Sequence, residues 1–583
     1  METPGPQRQK RKTSTLHAYG ASQHSIFKIV QYVREGNCID TLPESYSGWL
    51  HRNRKDIKNL SVELESKIIW LPEVDWPWHT PSLSRLIQWH LDNNFMFNNA
   101  FRKVIRSHAD PFGSPVASTG TLKLHLVGYC DEFTPGNVLA PDIKNKCNNW
   151  YASFLEFGDA LRVEHVWMHV ASLLSRKMAR LSSGCSCASR WLLESFLDEV
   201  PSVVSGMTVA VDGQPYFLIA ELNPNCWDEK ALKEVWFCKG SGGKKPCLQC
   251  PNVVHKTMHD DLPPGFVDIC EPDASKFGSV EDSELYEWFD ELAAIKGRGG
   301  NIQELEIMSG VKYDPTALLG SIRLRGIIKP SQNRYDVCHT HYSNGIVQHE
   351  IDLVVSALGA DHILTTSEIT SFFRADWKTS LGGAFRVLFK DNEIKCDAQG
   401  VRTAVHVFRH LLHTVVASKL DAAGGPWRPD VLASFRALHD SVCQMEYMMG
   451  CKDYSDIACD TLGSLMKRHL ELFVAAHGHE KVRPKHHMSL HVPNQVRQDR
   501  YLLHAFPLEH KHKLLKDILE NYHNTNCKDL ELRLCCKSAM NQALMVAEIT
   551  SSRAKILSSK SKISYQNEII HFAKGSATSI CSG

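Results

Sequence analysis

Apolar residues recur with two different periods along the chain, and the change of period divides it. Residues 22–60 and 82–106 carry them at helical spacing, as in SIFKIVQYVREG and LSRLIQWHLDNNFMFNNAFRKVIRS, up to the breaker run HADPFGSP. In LKLHLVGYCDE (122–132) strict alternation puts Leu122, Leu124 and Leu126 on one face, which predicts a strand ending in an acidic pair. NWYASFLEF (149–157) and RVEHVWMHVASLL (162–174) predict two more strands, and ASRWLLESFLDEV (188–200) predicts a helix. GMTVAVDGQPYFLIAEL (206–222) is β-rich and turns at Asp212-Gly213. From about 260 to 480 the pattern is mostly helical, with loops at GRGGN, LDAAGGPWRPD and HGHEK. FPLEHKHKLLKDILENYH (506–523) predicts a helix with Leu508, Leu515, Ile518 and Leu519 inward and Lys511, Lys513 and Lys516 outward.

This order predicts a mixed α/β fold: a ribonuclease-H-like core of three strands, a helix and a strand, interrupted by a large, mainly helical insertion and preceded by a helical N-terminal region. The expected divisions are a basic disordered start (1–20), the helical N-terminal region (21–115), and the first part of the core with a cysteine knuckle (116–260). The helical insertion (261–480), the second part of the core with a Glu-bearing helix (481–560) and a disordered tail (561–583) follow.

Composition narrows the class. With 583 residues, 43% hydrophobic and 22% charged, the chain reads as an ordinary globular protein of several domains. A formal net charge of +1 excludes a global basic field, so a polyanion would be met by local patches such as QRQKRK, HRNRKDIK and SRAKILSSKSK. Nineteen cysteines scattered without a secretory signal fit a reducing compartment rather than a disulfide scaffold. The basic start METPGPQRQKRKTSTLH is compatible with nuclear import, so a nuclear or otherwise cytoplasmic, soluble protein is expected. No run approaches the roughly 20 apolar residues of a membrane span.

Acid placement supplies candidate chemistry. Metal-assisted phosphoryl transfer needs carboxylates converging on two divalent ions about 4 Å apart. A ribonuclease-H-like fold places one acid on the first strand, one after the fourth and one on a late helix. Here those positions are filled by Asp131, Asp228 and Glu509, with Mg²⁺ (or Mn²⁺) as the implied ion. Cys247-x2-Cys250, after a Gly-rich turn, has the spacing of a zinc knuckle. Two completions exist: the local His255 and His259, or the remote His487 and His491. The remote pair is preferred, because it would tie the segment bearing Glu509 to the helix after Asp228. The zinc would then be structural. Cys185 and Cys187 read as small buried thiols, and GSGG (240–243) lacks the following Lys-Ser/Thr of a phosphate loop.

Four motifs in order, GYCDEFTPGN (128–137), DEKALKEVWFCKGSGGKKPCLQC (228–250), YDVCHTHYSNGI (335–346) and RPKHHMSLHVPNQ…FPLEHKHKLLK (483–516), resemble DDE transposases of the CACTA type, most closely the Plavaka-like group. The resemblance spans roughly 120–520. It implies that Asp131, Asp228 and Glu509 form the metal-binding triad. It also matches Cys247 and Cys250 to the family's cysteine pair and His487 and His491 to its late histidine motif. Asp336 and His339 match an Asp-x-x-His element of unstated role. The implied activity is DNA cleavage and strand transfer, with DNA as partner, Lys511 and Lys513 near the scissile phosphate, and homo-oligomers compatible with the family. No small-molecule cofactor is implied. The rival expectation is a catalytically inactive, domesticated copy acting as a DNA-binding or protein-interaction module. A zinc-dependent hydrolase is a third reading, needing an open coordination position beside a general base.

Overall fold

The computed structural model describes residues 82–520 except 109–120, 138–139, 142–145, 228, 241–242, 256–261, 376–386 and 420–423, together with scattered positions between 530 and 542 and the segments 562–565 and 568–571. The expected basic start and the first helical run, 22–60, lie outside these residues.

The fold is mixed α/β and is organised by one sheet. Strand β1 (Thr121–Phe133) lies at its middle, antiparallel to β2 (Cys147–Phe154), which is antiparallel to β3 (Met168–Leu174). On its other side β1 runs parallel to the long β5 (Gln214–Trp227), with Cys130 opposite Trp227 and a register shift between Leu126 and Gly128. The start of β5 pairs antiparallel with β4 (Met207–Val211), and its end pairs parallel with the three-residue β6 (Asn333–Tyr335). Along the sheet the order is β6-β5-β1-β2-β3.

Local chemistry explains these strands. Leu122, Leu124 and Leu126 are buried as their alternation requires, and every position of β2 and β3 is buried, so both faces of that half-sheet are covered. The β4–β5 hairpin turns at Asp212 and Gly213, both at positive φ, the pairing a two-residue turn of this hand needs. The stretches read as strands at 149–157 and 162–174 are shorter strands joined by tight helical turns over 155–166, where Gly158 takes φ +50°.

Helices cover the sheet. Helices α1 (Leu83–Asn93) and α2 (Phe95–His108) make up the described part of the N-terminal region, and Phe97 and Phe101 pack on Phe154 and Phe157. Helix α3 (Cys185–Asp198) contacts β2 through Ser189, whose Oγ accepts from Trp150 Nε1 at 3.1 Å. Helix α4 (Glu229–Val235) follows β5.

The segment expected to be a helical insertion contains α5 (Glu284–Gly297), α6 (Ile346–Ala360), α7 (Ala398–Leu411), α8 (Pro429–Cys451) and α9 (Asp456–His477). Pro429 opens α8, Ser455 caps α9 by accepting from Ala458 N at 3.3 Å, and Gly478 ends α9 at φ +86°. Core and helical elements alternate within the expected insertion, 261–480. Residues 333–342 return to the sheet as β6 and a π-helical turn (Cys338–Tyr342), so the helical material falls on both sides of a core element. The short helices α10 (Pro484–Ser489) and α11 (Val492–Asp499) lead into α12 (Phe506–Glu520). Within the expected loose tail, Lys562–Tyr565 pairs with Glu568–His571 as a hairpin. Among the described residues no helix is long and apolar enough to cross a membrane.

Candidate active site

Strand β1 presents Tyr129, Asp131 and Phe133 on one face, and helix α12 lies over that row. Phe133 and Tyr151 both stack near His512, with ring centroids 5.4 and 5.7 Å away. Helical spacing then places Glu509 and His512, three residues apart, side by side above Asp131. One ligand atom from each of Asp131, Glu509 and His512 lies within 4.8 Å of the others. His512 Nδ1 is 3.7 Å from Asp131 Oδ2. Asp131 is further fixed by Tyr129 Oη, donating at 3.2 Å, and by the Glu132 amide, donating at 2.7 Å.

The third approach to this point comes from β6. Tyr335 ends that strand, and the chain turns at once into Asp336 and the π-helical turn. Asp336 is fully buried and accepts from the amides of Cys338 (3.1 Å), His339 (2.9 Å) and Ala505 (2.7 Å). His339 Nδ1 sits 2.5 Å from Asp336 Oδ2, which directs Nε2 toward Glu509 Oε1 at 3.3 Å and Asp131 Oδ2 at 3.9 Å. Burial disfavours a charged His339, yet the hydrogen bonds to Asp336 and Glu509 and the charge of Asp131 outweigh it, holding the imidazole well above its ordinary pKa. Glu509 responds in the opposite sense. Burial would raise it, but His339, His512 and Lys516 bring it down to about 2. Burial lowers His512 to about 4.

These groups open onto a cleft of about 350 Å³ whose wall also includes Lys230, Asn344 and Lys516. Glu132, beside Asp131, is already committed: it takes Lys230 at 2.9 Å, Lys146 at 3.4 Å and Ser175 Oγ at 2.8 Å. Asp228 lies outside the described residues. Its chain neighbour Trp227 pairs with Cys130, the neighbour of Asp131.

His512, and Lys516 which is expected only as an outward residue, join the site beyond the expected set. The available signal was their spacing from Glu509, three and seven residues on, one face of α12. Lys511, expected on the outside near a phosphate, is corrected. It is buried, its ammonium donates to the Trp167 carbonyl and lies 5.6 Å from the Tyr151 ring, and burial lowers its pKa to about 7. Residues 508, 511, 515 and 518 share one stripe, so Lys511 falls on the packed face. Lys513 is exposed.

A second constellation lies beside the first. Cys247, Cys250, His487 and His491 offer ligand atoms within 4.8 Å of one another. His491 Nε2 is 3.3 Å from Cys250 Sγ, 3.5 Å from Cys247 Sγ and 3.1 Å from His487 Nε2. A tetrahedral zinc with N and S ligands needs edges of about 3.3–3.8 Å, so the set fits that ion with slight adjustment. Burial would raise Cys247, but Cys250, His491 and His487 hold it well below an ordinary thiol; Cys250 is raised, by its hydrogen bond to Cys247 first. Phe277 shields the group, its ring 4.5 Å from His487. The local candidate His255 is not in this set, and His259 lies outside the described residues. Cys185 and Cys187, at the start of α3, are buried thiols.

No protein-family model and no curated protein matches the chain.

Proposed function

We propose that the chain is transposase-like and cleaves DNA phosphodiesters with divalent-metal assistance, using Asp131, Asp228 and Glu509. The carrying observation is the convergence of Asp131 and Glu509, from β1 and a helix about 380 residues later, at the wall of one cleft. The sheet order β6-β5-β1-β2-β3, with three antiparallel strands and two parallel additions, supports a ribonuclease-H-like core. In that fold one acid stands on the first strand and one on a late helix, the elements that carry Asp131 and Glu509 here.

Asp131 and Glu509 would hold Mg²⁺ or Mn²⁺, with Asp228 as third ligand. Bound there, the ions would activate first water and then a DNA 3′-hydroxyl as in-line nucleophile and stabilise the leaving oxygen. His512 and the ammonium of Lys516 face the same space and would contact phosphate oxygens. Asp336 orients His339 toward both carboxylates, so His339 offsets part of their charge when no metal does. Cys247, Cys250, His487 and His491 would hold a structural Zn²⁺: four protein ligands leave no open position for hydrolysis, which argues against a zinc hydrolase. DNA as partner, a nuclear setting and a homo-oligomer belong to this reading.

A second reading has one specific observation in its favour. The His339 imidazole already satisfies both carboxylates at 3.3 and 3.9 Å, as expected of a site retained for packing in a binding-only module. Cleavage of supercoiled and branched DNA with Mg²⁺ or Mn²⁺ separates them. Cleavage by the unmutated chain, lost in Glu509→Gln with the fold intact, supports the first reading. Folded protein that binds DNA without cleaving it supports the second.

A further inference from the structure

Helices α7 and α8 cross through an aromatic contact, Phe408 on Phe435 with centroids 5.3 Å apart, above buried Val405, Leu438 and Val442. At the edge of that packing three ligand-type side chains meet. His406 projects from α7, and His439 and Cys443, one turn apart, project from α8; one ligand atom of each lies within 4.8 Å of the other two. His406 Nδ1 faces His439 Nε2 at 3.0 Å, and Cys443 Sγ is 3.7 Å from His439 Nδ1 and 3.8 Å from its Nε2. A tetrahedral ion bound by nitrogen and sulfur requires edges of about 3.3 Å between nitrogens and about 3.6 Å from nitrogen to sulfur. The nitrogen–nitrogen edge differs from the first of these by a few tenths of an ångström, and the exposed Cys443 side chain would turn about its χ1 to bring its sulfur from the side of the His439 ring to the Nε2 lone pair.

A second feature points to a metal independently. His406 Nε2 is 3.0 Å from Glu446 Oε2. A carboxylate there takes the Nε2–H and leaves the Nδ1 lone pair directed at His439, the carboxylate–histidine–metal arrangement that fixes the tautomer of a ligating imidazole. Arg402 shares Glu446 at 3.0 Å, and Asp440 adds a further negative charge nearby. Cys443 is exposed and His406 partly so, which gives an ion a route from solvent and leaves its fourth position to water.

We propose that His406, His439 and Cys443 form a transition-metal site, suited to Zn²⁺, that clamps α7 to α8 in the helical region. It is separate from the cysteine knuckle and does not depend on the chemistry proposed for the cleft. Ligation by Cys443 displaces its thiol proton to solvent, and the metal keeps its oxidation state.

The test is the metal content of the purified full chain, stripped with chelator and titrated with Zn²⁺ and separately with Co²⁺. Alongside the knuckle, two tight equivalents are expected in the unmutated protein. His439→Ala and Cys443→Ser should each lose one, and Cys250→Ser should lose the other. With cobalt in both sites, Cys443 supplies one thiolate of three, so Cys443→Ser should remove about a third of the thiolate-to-cobalt absorption. If the knuckle holds no zinc, one equivalent remains, lost in Cys443→Ser and kept in Cys250→Ser. The proposal is overturned if His439→Ala and Cys443→Ser both retain every equivalent the unmutated chain binds, with unchanged cobalt spectra.

Discussion

Asp336 grips His339 at two points, accepting its backbone amide at 2.9 Å and lying 2.5 Å from Nδ1, while also accepting from Ala505 at the start of α12. One buried carboxylate thus couples the end of β6, the imidazole between Asp131 and Glu509, and the helix that carries Glu509.

Replacing His339 by alanine should leave Asp131 and Glu509 facing each other without the imidazole between them, with Lys516 alone as a nearby cation. The metal-free protein is expected to lose about 1–3 kcal/mol of stability. Mg²⁺ or Mn²⁺ should then stabilise His339→Ala more than the unmutated chain, because the ion no longer competes with an imidazolium. Thermal unfolding with and without metal measures this. Equal shifts in both proteins would show that the carboxylates do not share an ion.

Zinc should be lost from Cys250→Ser and from His491→Ala at one equivalent each, with several kcal/mol of stability, since metal binding is linked to folding. His255→Ala and His259→Ala should keep that equivalent. Zinc analysis together with denaturant unfolding decides between the sets. Loss in the local variants alone would reassign the knuckle.

Glu350 on α6 is fully buried, 2.7 Å from His469 and 3.8 Å from His477 on α9, and it accepts from Ser434 on α8 at 2.7 Å. Burial would raise its carboxyl, but the two histidines bring it down to about 2. An unfolded glutamate protonates near 4.3. Between these values the unfolded chain holds more protons, so stability falls as pH falls; above them the contribution is complete, on the order of 3 kcal/mol. Glu350→Gln should remove that acid-sensitive component from unfolding curves taken from pH 6 to pH 2. An unaltered slope would count against the ion pair.

Lys511 gives a slope of the same sign in a higher pH window, but its burial is unfavourable at neutral pH where that of Glu350 is favourable. Its folded pKa of about 7 lies below the unfolded value near 10.4, so from pH 7 to 10 the unfolded chain binds more protons and stability rises with pH. Lys511→Met keeps the packing, and the Trp167 carbonyl retains Gln542 Nε2 at 3.0 Å. The variant should be more stable near neutral pH by roughly 2 kcal/mol, the gain vanishing toward pH 10.5. DNA affinity should not change, whereas Lys513→Ala, on the exposed face, should weaken it if α12 borders the DNA.

The sequence by itself determined those features that depend on local period and spacing. Alternation marked β1, Asp212-Gly213 marked the hairpin, the 3.6-residue stripe marked α12, and Cys247-x2-Cys250 marked a pair of thiols able to share one ion. The tertiary structure decided what depends on packing between distant segments. Strand β6 has three residues, too few to display a period, and exists because β5 offers it a parallel edge; His339 reaches the cleft, with Asp336 buried behind it, for that reason. His491 closes on Cys247 across 244 residues, a contact with no local signature. Lys511 carries a charge, which reads as outward in a sequence, but burial is set by the angle at which α12 meets the sheet. Period reports which face a residue occupies, and only the packing of that face against another element settles what surrounds it.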